Sequence, residues 1–108
     1  MDVQLQQRFL ETLERDFPTS HEAAHYAAEL GVTTGTLSRT LMRLSGRSTK
    51  QLILDRVGLE AARLLRFSDL SIKEIAARLG FSDQFAFSKA FKRRRGEAPL
   101  DFRERVAH

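Results

Sequence analysis

The 108-residue chain contains no cysteine, which removes a disulfide framework and every thiolate zinc site. No apolar run approaches the roughly 20 residues needed to cross a bilayer. The opening stretch, Met1 to Phe17, is too charged for a secretory signal. Prolines are few, at positions 18 and 99, and no proline-rich, serine-rich or other low-complexity linker divides the chain. No Ser-His-Asp grouping, phosphate-binding glycine loop or carboxylate pair stands out, and no convincing strand is present. These absences point to a single cytoplasmic all-α domain, too short to be built around a deep catalytic pocket. They give no ground for a cofactor, a metal or enzymatic activity.

What is present is a duplicated pattern. The stretch from Leu37 to Gly46 (LSRTLMRLSG) returns fifty positions later, from Phe87 to Gly96, as FSKAFKRRRG. Each copy has two large apolar residues at i and i+4, a hydroxyl followed by a cation between them, and a closing glycine. On a helix this buries one stripe and leaves Ser and Arg or Lys facing outward. Each copy is also preceded by a second repeat: Ala27-Ala28-Glu29-Leu30-Gly31-Val32 returns as Ala76-Ala77-Arg78-Leu79-Gly80-Phe81. Each unit therefore reads as helix, glycine turn, helix. A small alanine four residues before the glycine lets the two helices approach closely. Such a unit suits a helix-turn-helix, whose second helix enters the major groove of DNA. Leu37 follows Gly31 by six residues and Phe87 follows Gly80 by seven, so the second turn carries one extra residue.

The periodicity predicts seven helices. Leu5, Phe9, Leu13 and Phe17 form the stripe of the first. Thr19 with Glu22 fits a capping box that opens the second. The third begins near Thr33 or Thr34 and stops at Gly46. Ser48 or Thr49 starts a long fourth helix with apolar positions Leu52, Ile53, Val57, Ala61, Leu64 and Leu65; Gly58 inside it predicts close packing or a bend. Ser71 and Glu74 form a capping box for the fifth helix, the sixth starts near Ser82 or Asp83, and Pro99 opens the seventh. The expected organisation is one domain over 1–108: a first helix-turn-helix unit at about 1–47, a linking helix at 48–67 and a second unit at 68–108.

Net charge is +4 and the isoelectric point is about 10.1, but the charge is uneven. Residues 1–46 hold four Lys and Arg against six Asp and Glu, whereas residues 47–108 hold fourteen against eight. A polyanion is the natural partner of that second half. One motif competes: His21-Glu22-Ala23-Ala24-His25 matches the zinc-protease pattern, with both histidines expected on one helical face. A catalytic zinc needs a third protein ligand, and the remaining histidine is His108 at the chain end. The expectation is therefore no metal site.

From Ile75 to Gln84, then through Phe87-Ser88-Lys89-Ala90-Phe91-Lys92, Gly96 and Ala98-Pro99, the sequence closely resembles the signature of the DNA-binding domain of AraC/XylS-family transcription regulators. The stretch Arg56 to Leu65 is similar to that family's linking helix. The resemblance covers about Val3 to Arg105. It implies sequence-specific binding of double-stranded DNA, with two recognition helices in successive major grooves about 34 Å apart. Carried over by position, Gly35, Thr36, Ser38 and Arg39 in the third helix and Gln84, Phe85, Ala86, Ser88 and Lys89 in the sixth should face base edges, though Gly35 departs from the larger side chain the family often has. Arg39 suits guanine, Gln84 adenine and Phe85 a thymine methyl. Phosphate contacts are expected from Arg47, Lys50, Arg56, Lys92, Arg93 and Arg103, and at least one charge of the run Lys92 to Arg95 is expected to be solvated or packed. The resemblance further implies RNA polymerase as a second partner and a monomeric isolated domain, carried either in a longer regulator, an activator or a repressor, that dimerises through another domain, or standing alone as some family members of about this length do. The alternative reading is a helical protein-interaction module of the same fold that no longer reads DNA sequence.

Overall fold

The computed structural model describes residues 2–107 and contains seven α-helices, with no strand among the described residues. They are α1 (Asp2–Asp16), α2 (Ala23–Leu30), α3 (Thr34–Ser45), α4 (Thr49–Phe67), α5 (Ile72–Arg78), α6 (Gln84–Arg95) and α7 (Pro99–Val106). The chain divides into two compact units, one running to Leu54 and the other from Asp55, so the division falls inside α4. The first unit carries six cations and six acids and the second twelve and eight. The positive excess therefore belongs to the second unit, and the first is neutral.

In the first unit α1, α2 and α3 pack on one another. Phe9, Leu13 and Phe17 from the α1 stripe are buried with Tyr26, Ala27, Leu30, Leu37, Leu41 and Ile53. The Phe9 and Tyr26 rings meet edge to face at 5.6 Å, a geometry worth about 0.5–1.5 kcal/mol beyond burial alone. The second unit is built on four rings in series, Phe81, Phe87, Phe91 and Phe102, at centroid spacings of 5.4, 5.9 and 5.5 Å. Ile75, Ala76, Leu79 and the α4 residues Val57, Ala61, Leu64 and Leu65 complete that core.

The repeated Ala-Ala-x-Leu-Gly sequence makes the same turn twice. Val32 N–H donates to Ala27 O at 3.0 Å and Gly31 N–H to Ala28 O at 3.2 Å; Phe81 and Gly80 donate to Ala76 and Ala77 at the same two distances. Both glycines lie in the left-handed region, at φ of 70° and 83°, where a side chain would be strained. Ala27 and Ala76 are buried, as the close approach of two helices requires. The next helix is capped by Thr33 in the first unit and by Asp83 in the second, whose side chains accept from Thr36 N–H and Ala86 N–H. Ser82 is the extra residue.

Most helix starts follow the sequence signals. Ser48 and Gln51 exchange reciprocal hydrogen bonds at the start of α4, and Ser71 and Glu74 form the expected capping box. Two expectations fail. Thr19 does not cap α2: its N–H and that of Ser20 close on Asp16 O, and Tyr26 Oη donates to Ser20 O at 2.7 Å. Residues 17–20 are thereby spent on leaving α1. The helix begins only at Ala23, and its N-cap Glu22 makes no side-chain cap. Gly58 is the second: of its two readings, close helix packing fails, because a Cβ there would meet nothing within 4 Å. Gly58→Ala should accordingly raise stability by about 0.5–1 kcal/mol, which urea unfolding followed by circular dichroism would measure. A destabilised variant would show that the glycine has a packing role after all.

Candidate nucleic-acid interface

The buried pair of each repeat fixes which way its helix faces. Leu37 and Leu41 are fully buried in α3, and Phe87 and Phe91 are buried in α6. With about 100° between successive residues, the opposite face of α3 carries Gly35, Arg39, Met42 and Arg43, and that of α6 carries Phe85, Ala86, Lys89, Lys92 and Arg93. All nine are exposed. Met42 and Arg43 were not among the expected contacts, although they stand three and four residues after Arg39 and the helical period alone could have found them. Arg43 pairs with Asp2.

The remaining expected base-contacting residues sit on the flanks. Thr36 is half-buried, and its hydroxyl accepts from Thr33 Oγ1 at 3.0 Å and from Arg39 Nη2 at 3.5 Å. Ser38 is half-buried with its hydroxyl 3.3 Å from that of the buried Thr49, so it faces the start of α4 and not the row containing Arg39. Gln84 and Ser88 are also half-buried. Phe85 is 75% exposed. It rims a recess of about 400 Å³ between α5 and the start of α6.

Of the expected phosphate ligands, Arg47, Lys92 and Arg93 are exposed. Lys50 Nζ donates to His21 O at 2.9 Å and lies 3.6 Å from Glu22, so it is partly engaged. Arg56 is half-buried; with the directly bonded Arg63 it helps hold the Glu60 carboxyl below its ordinary range. Arg103 departs from expectation. Its guanidinium donates to Leu65 O at 2.9 Å, Ser68 O at 3.2 Å and Leu64 O at 3.4 Å, closing the carbonyl end of α4, where a cation is favoured. In the basic run, Arg94 pairs with Asp55 at 3.0 Å, and Arg95 lies over the Phe91 and Phe102 rings at 6.0 and 5.8 Å. Lys92 and Arg93 are left facing outward.

The histidine motif takes a different form from the one expected. His21 precedes α2, with Nε2 at 3.1 Å from Phe17 O, so the two histidines do not share a helical face. His25 Nε2 lies 2.7 Å from Asp16 Oδ2. Asp16, His25 and Glu29 do bring their ligand atoms within 4.8 Å of one another. Arg15, however, donates to both carboxylates and already serves as the cation of that cluster. The Arg15 hydrogen bond, followed by that of His25, holds the Asp16 carboxyl well below the usual carboxylate range.

A family model described as a helix-turn-helix domain matches residues 26–105. The transcriptional activator RhaS of Klebsiella pneumoniae is 43% identical over 79 residues, covering 72% of this chain and 28% of RhaS. The chain thus spans less than a third of the length of that curated relative. The C-terminal domain of AraT, a response regulator from Geobacillus stearothermophilus, superposes with a TM-score of 0.89 at 30% identity, covering 94% of this chain and 84% of that one. The DNA-binding domain of the global transcriptional factor AdpA, solved in complex with a target DNA, gives 0.82 at 29% identity, covering 94% and 90%. The chain belongs to the AraC-type family of helix-turn-helix domains, a family of DNA-binding transcription regulators and not of enzymes.

Proposed function

We propose that this chain binds double-stranded DNA sequence-specifically, each unit offering the outward face of its second helix to a major groove. One observation carries the reading: both units place a cation, Arg39 or Lys89, at the same position over a buried apolar pair, with further basic residues one turn on. Arg39 and Thr36 in α3, and Phe85, Ala86 and Lys89 in α6, are the base-reading set, flanked by Gln84 and Ser88. Lys92 and Arg93 bind phosphate, joined by Arg47, Lys50 and Arg56 once DNA competes for them. Successive grooves on one duplex are the proposed targets. As part of a longer regulator in the cytoplasm, the domain would work beside RNA polymerase and dimerise through another segment, itself remaining a monomer. No described helix is long and apolar enough to cross a membrane.

The test is selection from random duplexes followed by titration of the enriched site. Arg39→Ala and Lys89→Ala should each weaken that site by about 1–3 kcal/mol while sparing random DNA. With about five phosphates neutralised, log affinity should fall against log salt with a slope near −4.5. Enrichment of no motif at all would sink the proposal. Full site preference in both variants would refute the assigned faces.

A further inference from the structure

Six glycines occur in the chain. Gly31, Gly46, Gly80 and Gly96 have positive φ and answer to their turns. Gly58 and Gly35 have ordinary helical backbones, so neither is required by conformation. A Cβ at Gly58 would meet nothing. At Gly35 it would lie 3.3 Å from Arg39 Nη1 and 4.0 Å from Thr33 Oγ1. The contact with Arg39 is tighter than a comfortable carbon–nitrogen approach, and it falls on the side chain proposed to read a base.

We infer that Gly35 is a positioning residue for Arg39: the missing side chain leaves the space in which the guanidinium lies back across the first turn of α3. This deepens the DNA-reading proposal and rests on it. The polar side of that space is lined as well. Arg39 Nη2 donates to Thr36 Oγ1, which also accepts from the N-cap hydroxyl of Thr33. At 3.5 Å the arginine bond is weak; it supplies direction more than energy. An exposed arginine otherwise has many rotamers to lose when it grips a base edge, and orienting it beforehand reduces that loss. Glycine in a helical turn disfavours the helix relative to alanine, so the position gives up local stability to hold the arginine. Gly35 is then no empty place in the reading face, since it acts through its neighbour four residues on.

The experiment is a double-mutant cycle on the full chain with Gly35→Ala, Arg39→Ala and the double variant. Binding is measured to the selected duplex and to its single-base-pair substitutions, and unfolding is followed in parallel. Gly35→Ala should fold at least as stably as the wild type. It should bind the selected site about fivefold more weakly and flatten discrimination at the same base pair that Arg39→Ala flattens. In the Arg39→Ala background it should change nothing. Gly35→Leu, which fills the space further, should act in the same direction and more strongly. Wild-type discrimination in Gly35→Ala, or an equal loss with and without Arg39, overturns the inference while leaving DNA reading intact. A wild-type chain that enriches no motif overturns the underlying proposal and this inference with it.

Discussion

Phe87→Ala should remove about 3–5 kcal/mol of unfolding free energy and abolish binding of the selected duplex at ambient temperature. Phe87 is 1% exposed and sits between Phe81 and Phe91 in the four-ring series. Truncation both forfeits the buried surface and leaves a cavity that two rigid neighbours cannot close. Domains of this size have only about 5–15 kcal/mol in all, so the second unit should lose its fold first, and with it the orientation of Lys89. Phe85→Ala, two residues away, is the control. It should alter stability by no more than about 0.5 kcal/mol while weakening the selected duplex, because its ring is in solvent. Urea unfolding followed by circular dichroism separates the two, and a Phe87 variant of near wild-type stability would contradict the ring core.

Arg103→Ala should cost about 1.5–3 kcal/mol, lowering the melting temperature by about 10 °C, and should leave the salt slope of DNA binding unchanged. Its guanidinium serves three carbonyls around the end of α4. Removing it takes a donor from the partly buried Leu65 and Ser68 carbonyls, while Leu64 O keeps Ser68 N–H and Oγ, and lysine cannot replace it because one ammonium lacks the planar fork. A phosphate ligand would behave in the opposite way: stability would hold and the salt slope would become shallower by about one unit. Measuring both quantities on one variant decides between the roles. Arg93→Ala, exposed on α6, should show that second pattern.

These two residues also show how far the sequence could be read. Phe87 was legible as core because the repeat places it at i and Phe91 at i+4, and burial follows from helical period. Phe85 was equally aromatic, and its place two residues before Phe87 put it on the outward face, where it is 75% exposed. Arg103 was expected at phosphate because its charge is visible in the sequence, whereas the carbonyls it meets lie some forty residues earlier. The same distance hid Arg94 with Asp55. Ser38 was named as a reading residue by its position in the family pattern, and its hydroxyl lies beside Thr49. Thr19 looked like a cap because local spacing allowed it, but Tyr26 holds that segment as a turn.

The sequence by itself determined the helices apart from the start of α2, their glycine turns and the buried pair in each repeat, because period, caps and left-handed glycines act within a few residues of one another; the family was legible from the likeness of Ile75 to Pro99 to its signature. Tertiary structure alone decided which cations remain at the surface. A long lysine or arginine side chain settles wherever the nearest carboxylate, ring or carbonyl end lies, and that depends on the packing of distant segments.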